Sequence, residues 1–180
     1  MRREPMKNHS QRTPHPRRSR GFTLIEVLVS LVVLSIGLLG IGKLVLFSAR
    51  ANDSAYLRGQ ATELAYEILD NMRANRTIAR AHGYDTPLTA NTGNMANPGS
   101  CYAANCAPAT LGLYDVYTWK AHLNGPNGLL PSGQGSVVTA GVPTTATITV
   151  QWDDAAAQST FGGSQVGTQA FESVVLETIL

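Results

Sequence analysis

The chain has 180 residues, enough for one ordinary domain and too few for two large ones. Its formal net charge of +2 and 43% hydrophobic content look globular, but 14% charged residues is low for a fully soluble protein. Two cysteines exclude a cysteine-rich scaffold and a four-cysteine zinc site.

These averages conceal a segregated chain. Residues 1–20 hold Arg2, Arg3, Lys7, Arg12, Arg17, Arg18 and Arg20 against Glu4, a local charge of +6 that leaves −4 for the remainder. With Pro5, Pro14 and Pro16 and few apolar side chains, this stretch has no core to pack and is expected to be disordered. Met6 is a second candidate start and would keep five of the seven basic residues. From Phe22 to Phe47, 18 of 26 residues are large and apolar, and the only charges are Glu26 and Lys43. The stretch Phe22–Gly42 would make about 31 Å of helix, close to the thickness of a bilayer core. We expect a membrane-spanning helix with the basic tail held on the cytoplasmic side. That placement accounts for the tail without nucleic acid as a partner.

A secretory signal is cut after its apolar region. Here the small residue, Gly21, precedes that region. The run Gly21-Phe22-Thr23-Leu24-Ile25-Glu26-Val27-Leu28-Val29 resembles the type IV prepilin signal shared by type IV pilins and type II secretion pseudopilins. The resemblance implies that a prepilin peptidase cuts between Gly21 and Phe22 and methylates the new amine of Phe22, and that the apolar helix stays on the mature chain. An acid at position 26 needs a physical account, since a carboxylate within a membrane helix costs about 2.5–3.5 kcal/mol or more unless it is paired or neutral. Near the helix start it suits the dipole. Cleavage would also create a cationic amine at a helix N-terminus, where positive charge is unfavourable. The resemblance assigns Glu26 to neutralising that amine in a neighbouring subunit; pairing within the chain, one turn apart, is the other arrangement. Gly37, Gly40 and Gly42 read as glycines tolerated in a membrane helix or as points of close helix packing or local melting.

Beyond Phe47 the pattern becomes amphipathic. Leu57, Ala61, Leu64, Ala65, Ile68, Met72 and Ala79 recur at three- and four-residue steps, with Arg58, Glu63, Glu67, Asp70 and Arg73 largely off that stripe as a solvated face. No breaker precedes Gly83, so the expectation is one helix over 22–82, in a membrane half (22–47) and a stalk half (48–82). The segment Ala61–Arg76 (ATELAYEILDNMRANR) and the run Val27–Gly42 are similar to the PilV family of minor pilins, also described as type IV pilus modification proteins. That similarity covers about residues 21–76 and implies a place in a pilus beside other minor and major pilins and a tip adhesin.

Residues 83–113, rich in Gly, Pro, Asn, Ala and Thr, read as a long loop. Cys101 and Cys106 lack the Cys-x-x-Cys redox spacing and a neighbouring histidine cluster. Outside the cytoplasm, where the helix orientation puts them, a Cys101–Cys106 disulfide is expected. Tyr114–Leu123 is read as a short helix with Asp115 as its N-cap, against a competing strand. Turns follow at 125–128 and 131–133. Ser136–Ala140 is a short strand. In Thr144–Trp152, Ala146, Ile148, Val150 and Trp152 alternate with Thr145, Thr147, Thr149 and Gln151, the pattern of a half-buried antiparallel strand. Asp153 and Asp154 read as solvated turn acids, too few oxygens for calcium. Residues 155–169 are a polar loop and Phe171–Leu180 a last strand.

The expected fold is therefore α+β and type IV pilin-like, a long N-terminal helix packed on a small antiparallel sheet, with the leader 1–21 removed and a periplasmic head over 83–180. No P-loop, dinucleotide fingerprint or nucleophile elbow is present, and His82 and His122 have no neighbouring catalytic motif. No enzyme activity, cofactor or metal is expected; the chain is itself a peptidase substrate. The alternatives are a minor pseudopilin of a type II secretion system and, in another class, a monomeric membrane-anchored binding module. Gly21 and Glu26 weigh against the last, because a plain anchor needs neither.

Overall fold

A computed structural model describes residues 21–101, 105–155 and 170–180. Residues 1–20 of the leader and all but the first residue of the loop expected at 155–169 lie outside the described residues. The chain divides into two compact units between Leu44 and Val45. Helix α1 (Leu24–Ala74) contributes to both.

In the first unit, the helix starts where Thr23 caps it. The Glu26 amide donates to Thr23 Oγ1 at 3.3 Å and to the Thr23 carbonyl at 3.1 Å. The hydroxyls of Ser30 and Ser35 turn back onto the carbonyls of Val27 and Leu31, at 2.8 and 2.7 Å. These two hydroxyls are thereby satisfied within the helix, while the large apolar side chains of the stretch all stay exposed.

The second unit is an α+β head. Helix α2 (Arg76–Arg80) and helix α3 (Pro108–Asn124) precede strands β1 (Gln134–Ala140), β2 (Thr145–Asp153) and β3 (Phe171–Ile179). The strands form an antiparallel sheet in the order β1-β2-β3, with Val137 opposite Ile148 and Ile148 opposite Leu176. The stripe of α1 supplies Ala61, Leu64, Ala65, Ile68 and Met72 to the core, joined by Leu69. The inward residues of β2 (Ala146, Ile148, Val150 and Trp152) are fully buried, as the alternation required. Trp119 of α3 enters the same core, and its indole N–H donates to the Leu64 carbonyl at 2.8 Å.

Besides the start of β1, at Gln134 and not Ser136, three features differ from the sequence expectation. The helix expected over 22–82 stops at Ala74. Asn75 leaves helical geometry (φ −117°, ψ 48°), and its side-chain amide donates to the Pro108 carbonyl at 2.7 Å. Short polar side chains favour such alternatives to helix. Helix α2 then ends in a Schellman motif: His82 takes a positive φ of 65°, and the His82 and Gly83 amides reach back to Ala79 and Ile78. A Cβ on Gly83 would lie 2.2 Å from the Ile78 side chain. Secondly, α3 begins at Pro108, six residues before the expected Tyr114, because proline at the first helical position is already shaped for a helix. Asp115 is therefore not an N-cap. It sits inside α3 and accepts the Tyr84 hydroxyl at 2.6 Å.

Thirdly, the two residues read as solvated turn acids differ: Asp153 does hold a turn, whereas Asp154 is buried. Asp153 closes β2, and its carboxylate accepts the amides of Ala155 and Ala170 at 3.0 and 3.2 Å. Asp154 is only 3% exposed and accepts the Ser54 hydroxyl at 2.7 Å.

Gly135 fixes how closely α3 approaches the sheet. A Cβ there would stand 2.4 Å from the Trp119 ring and 2.6 Å from Leu123. Gly135→Ala should destabilise the mature protein by about 1–3 kcal/mol through overpacking, read as a lower urea midpoint at unchanged slope.

Candidate functional site

The junction between leader and helix is where the motif residues lie. Gly21 and Phe22 precede α1 and are exposed. Glu26 occupies the first turn, three residues after the capping Thr23. Thr-x-x-Glu is the spacing of a capping box, and its threonine half is formed here. Helix geometry thus gives the acid a local reason to sit where it does, and leaves its side chain on an open groove beside Ile25, Val29, Ser30 and Val33.

From Leu24 onward the helix is long and apolar enough to cross a membrane, with a mean hydropathy of 2.6 in its best window and none of that window buried. A continuous apolar surface of this extent demands a cover of lipid or neighbouring helices. Gly37, Gly40 and Gly42 meet nothing within 4 Å of a built Cβ. Among the described residues, nothing packs against them.

The head carries the other candidates. Cys101 and Cys106 are joined by a disulfide, with Cα atoms 5.6 Å apart. His82 has neighbours that sequence spacing did not reveal. Its Nδ1 lies 2.9 Å from Asp85 Oδ2 and 2.8 Å from Thr139 Oγ1, and the Thr139 hydroxyl donates to Asp85 Oδ1 at 2.7 Å. The residue types resemble a nucleophilic triad, but the geometry does not. A relay needs the acid on one ring nitrogen and the hydroxyl on the other, whereas both partners here share Nδ1. The cluster clasps the turn after α2 to β1. His122 pairs with Glu67 at 3.0 Å and ties α3 to α1 on the surface. Among the described residues, no three histidine, cysteine or acidic side chains gather as metal ligands.

Two buried polar groups also escaped the sequence reading. Tyr84, on the loop after α2, is held by Asp115, and burial together with that acid raises its pKa far above the usual phenol range. Burial likewise raises the Asp115 carboxyl, partly offset by the Tyr84 hydrogen bond. Lys120, 2% exposed, donates to the carbonyls of Pro87, at 2.9 Å, and Gly135. It joins the loop before α3 to β1. Neither partner could be found from spacing, because each is a main-chain oxygen brought in by the fold.

A family model described as the prokaryotic N-terminal methylation motif matches residues 16–42. It spans the leader–helix junction, including Gly21, Phe22 and Glu26, and leaves the head unmatched. No curated protein and no solved structure gives a match. The motif and the fold together support a type IV pilin-like or pseudopilin-like protein, a structural subunit anchored by its apolar helix.

Burial lowers the Lys120 pKa to about 8 from its ordinary 10.5. Between those values the unfolded chain holds a proton that the folded chain has released, so the Lys120 contribution to stability rises with pH across that window and is flat below it. The stability of the wild type relative to Lys120→Met should therefore increase between pH 8 and pH 10. Urea midpoints of both proteins at pH 7, 8.5 and 10 check this; a constant difference would contradict it.

Proposed function

We propose that this chain is a minor pilin of the PilV type in a bacterial type IV pilus, supporting pilus assembly or initiation and hence adhesion or twitching motility. The observation that carries the reading is the methylation motif on an apolar helix whose large side chains find no cover among the described residues. In this reading, prepilin peptidase removes residues 1–21 and methylates Phe22. The subunit waits in the inner membrane with its N-terminus cytoplasmic and its head periplasmic, and then passes into the filament or its tip. Association with other minor and major pilins buries the apolar helix, and the head faces its pilin neighbours and a tip adhesin.

Glu26 has a defined part in this step. As helices pack, its carboxylate meets the cationic amine of Phe22 on a neighbouring subunit. In a low-dielectric surrounding, removing one member of such a pair strands the other charge at a cost of about 3–5 kcal/mol. Pairing also sets the register of one subunit against the next. The similarity of Ala61–Arg76 to PilV stalks favours the pilus over a type II secretion pseudopilus.

Deleting the gene and scoring surface piliation, twitching and protein secretion separately tests the assignment. Loss of piliation and twitching with normal secretion is expected. Loss of secretion with normal pili would move the protein to the pseudopilins. Glu26→Leu should be cleaved and methylated normally, as read by the intact mass of the mature chain, yet be depleted at least about tenfold from sheared filaments. Normal incorporation of that variant would refute the role of Glu26.

A further inference from the structure

The two edges of the sheet differ. On β3, the even-numbered residues turn their main-chain groups toward β2. At the two ends of that ladder the Leu180 amide donates to the Thr144 carbonyl at 2.9 Å and the Asp154 amide to the Ala170 carbonyl at 2.8 Å. The opposite edge belongs to β1, whose odd-numbered residues face outward, and the chain closes it. Val137 exchanges both main-chain hydrogen bonds with Thr86, at 2.9 and 3.0 Å, the Thr139 amide donates to Asp85 Oδ1 at 3.0 Å, and the Gly135 carbonyl accepts Lys120. On β3 the outward main-chain groups belong to Phe171, Ser173, Val175, Glu177 and Ile179. None of these groups has a hydrogen-bond partner among the described residues. A nine-residue edge left open in this way is a template for a further strand.

The side chains along this edge narrow what can add to it. Phe171, Val175 and Ile179 lie on the outer face of the sheet and are 40, 59 and 65% exposed. Val174 and Leu176 lie on the inner face and are only partly buried against the core. An added strand therefore gains apolar contact on both faces. Glu177 stands exposed in the outer row and forms no ion pair among the described residues. A cation directly opposite would complete that row. The chain itself does not provide the match. Residues 156–169, which connect β2 to β3, contain no lysine or arginine. Two copies of β3 paired over their full length about Val175 would set Glu177 opposite Ser173 and leave both acids without a cation. The twofold axis of that pairing would also run the α1 stretches of the two heads in opposite directions.

We propose that the open edge of β3 binds an extended segment of another protein by antiparallel strand addition, with apolar residues opposite Val174, Val175 and Leu176 and a lysine or arginine opposite Glu177. The antiparallel direction gives the more stable ladder. Main-chain hydrogen bonds to the odd-numbered residues supply the affinity, and Glu177 with the apolar residues around it supplies the choice of partner. The bound segment extends the three-stranded sheet by one strand and covers Val174 and Leu176. The inference concerns the head alone and stands whichever assembly the apolar helix joins.

Fluorescence polarisation of a labelled peptide, ITKVVVTSF, titrated with the full mature chain in detergent tests this; in the antiparallel register its lysine falls opposite Glu177. Saturable binding is expected. The counterpart ITEVVVTSF should bind about fivefold more weakly, the difference between an opposite-charge and a like-charge cross-strand pair. Glu177→Lys should reverse that order. Val175→Pro removes an outward N–H and none from the ladder with β2, so it should abolish binding of both peptides while the head stays folded. Thermal melts check each variant, and if Val175→Pro does not fold, the charge reversal at Glu177 carries the test. Absence of saturable binding, equal binding of the two peptides, or binding that survives in folded Val175→Pro would overturn the proposal. Sedimentation in density-matched detergent examines the other occupant: a dimer of the mature chain that Val175→Pro dissolves would give the edge to a second copy and overturn it as well.

Discussion

The head depends on burying one face of α1, from Ala61 to Met72, against β2 and α3. Small alanines alternate with Leu64, Ile68 and Met72 on that face, so large side chains from the sheet can enter between them. Ile148, Val150 and Trp152 come from one strand and lie on one side of it. Trp119 adds a directional contact, since its N–H reaches a main-chain oxygen of α1 itself. The indole fixes where α3 lies, α3 brings Lys120 to the carbonyls of Pro87 and Gly135, and those contacts place the preceding loop and β1. Without the α1 face, the inner surface of the three-stranded sheet would keep only the cover that α3 gives it through Trp119 and Leu123.

The two parts of α1 solve opposite problems with the same backbone. The amphipathic part buries a stripe within the chain. The earlier part is apolar nearly all round, and no described residue of its own unit covers it. Periodicity separates these cases well, which is why both were legible from sequence. The three- and four-residue spacing named every α1 core residue except Leu69, which flanks Ile68 and widens the stripe. Strict alternation likewise identified the inward residues of β2. The junction was legible for another reason: glycine, phenylalanine and an acid at fixed places before an apolar run form a compact local pattern, and the methylation-motif model matches across it.

What sequence did not reveal was built over long separations. Ser54 and Asp154 meet across 100 positions, and no local pattern marks Asp154 as buried. The Tyr84–Asp115 and Thr139–His82 contacts span 31 and 57 positions. The early start of α3 had a local signal in Pro108, but Gly112 and the surrounding small residues hid the helical period.

The serines of the apolar helix deserve a last comparison with Glu26. Ser30 and Ser35 spend their hydroxyl protons on the helix's own carbonyls, so the cylinder offers a bilayer an almost uniform hydrocarbon coat. A cylinder coated this way has little torque acting on it in lipid and can spin about its long axis. Its charged marks are Glu26 near one end and Lys43 near the other. In the assembly proposed above, the first encounter with a neighbouring helix becomes a search over azimuth, and a carboxylate near the end of the axle decides where the rotation stops.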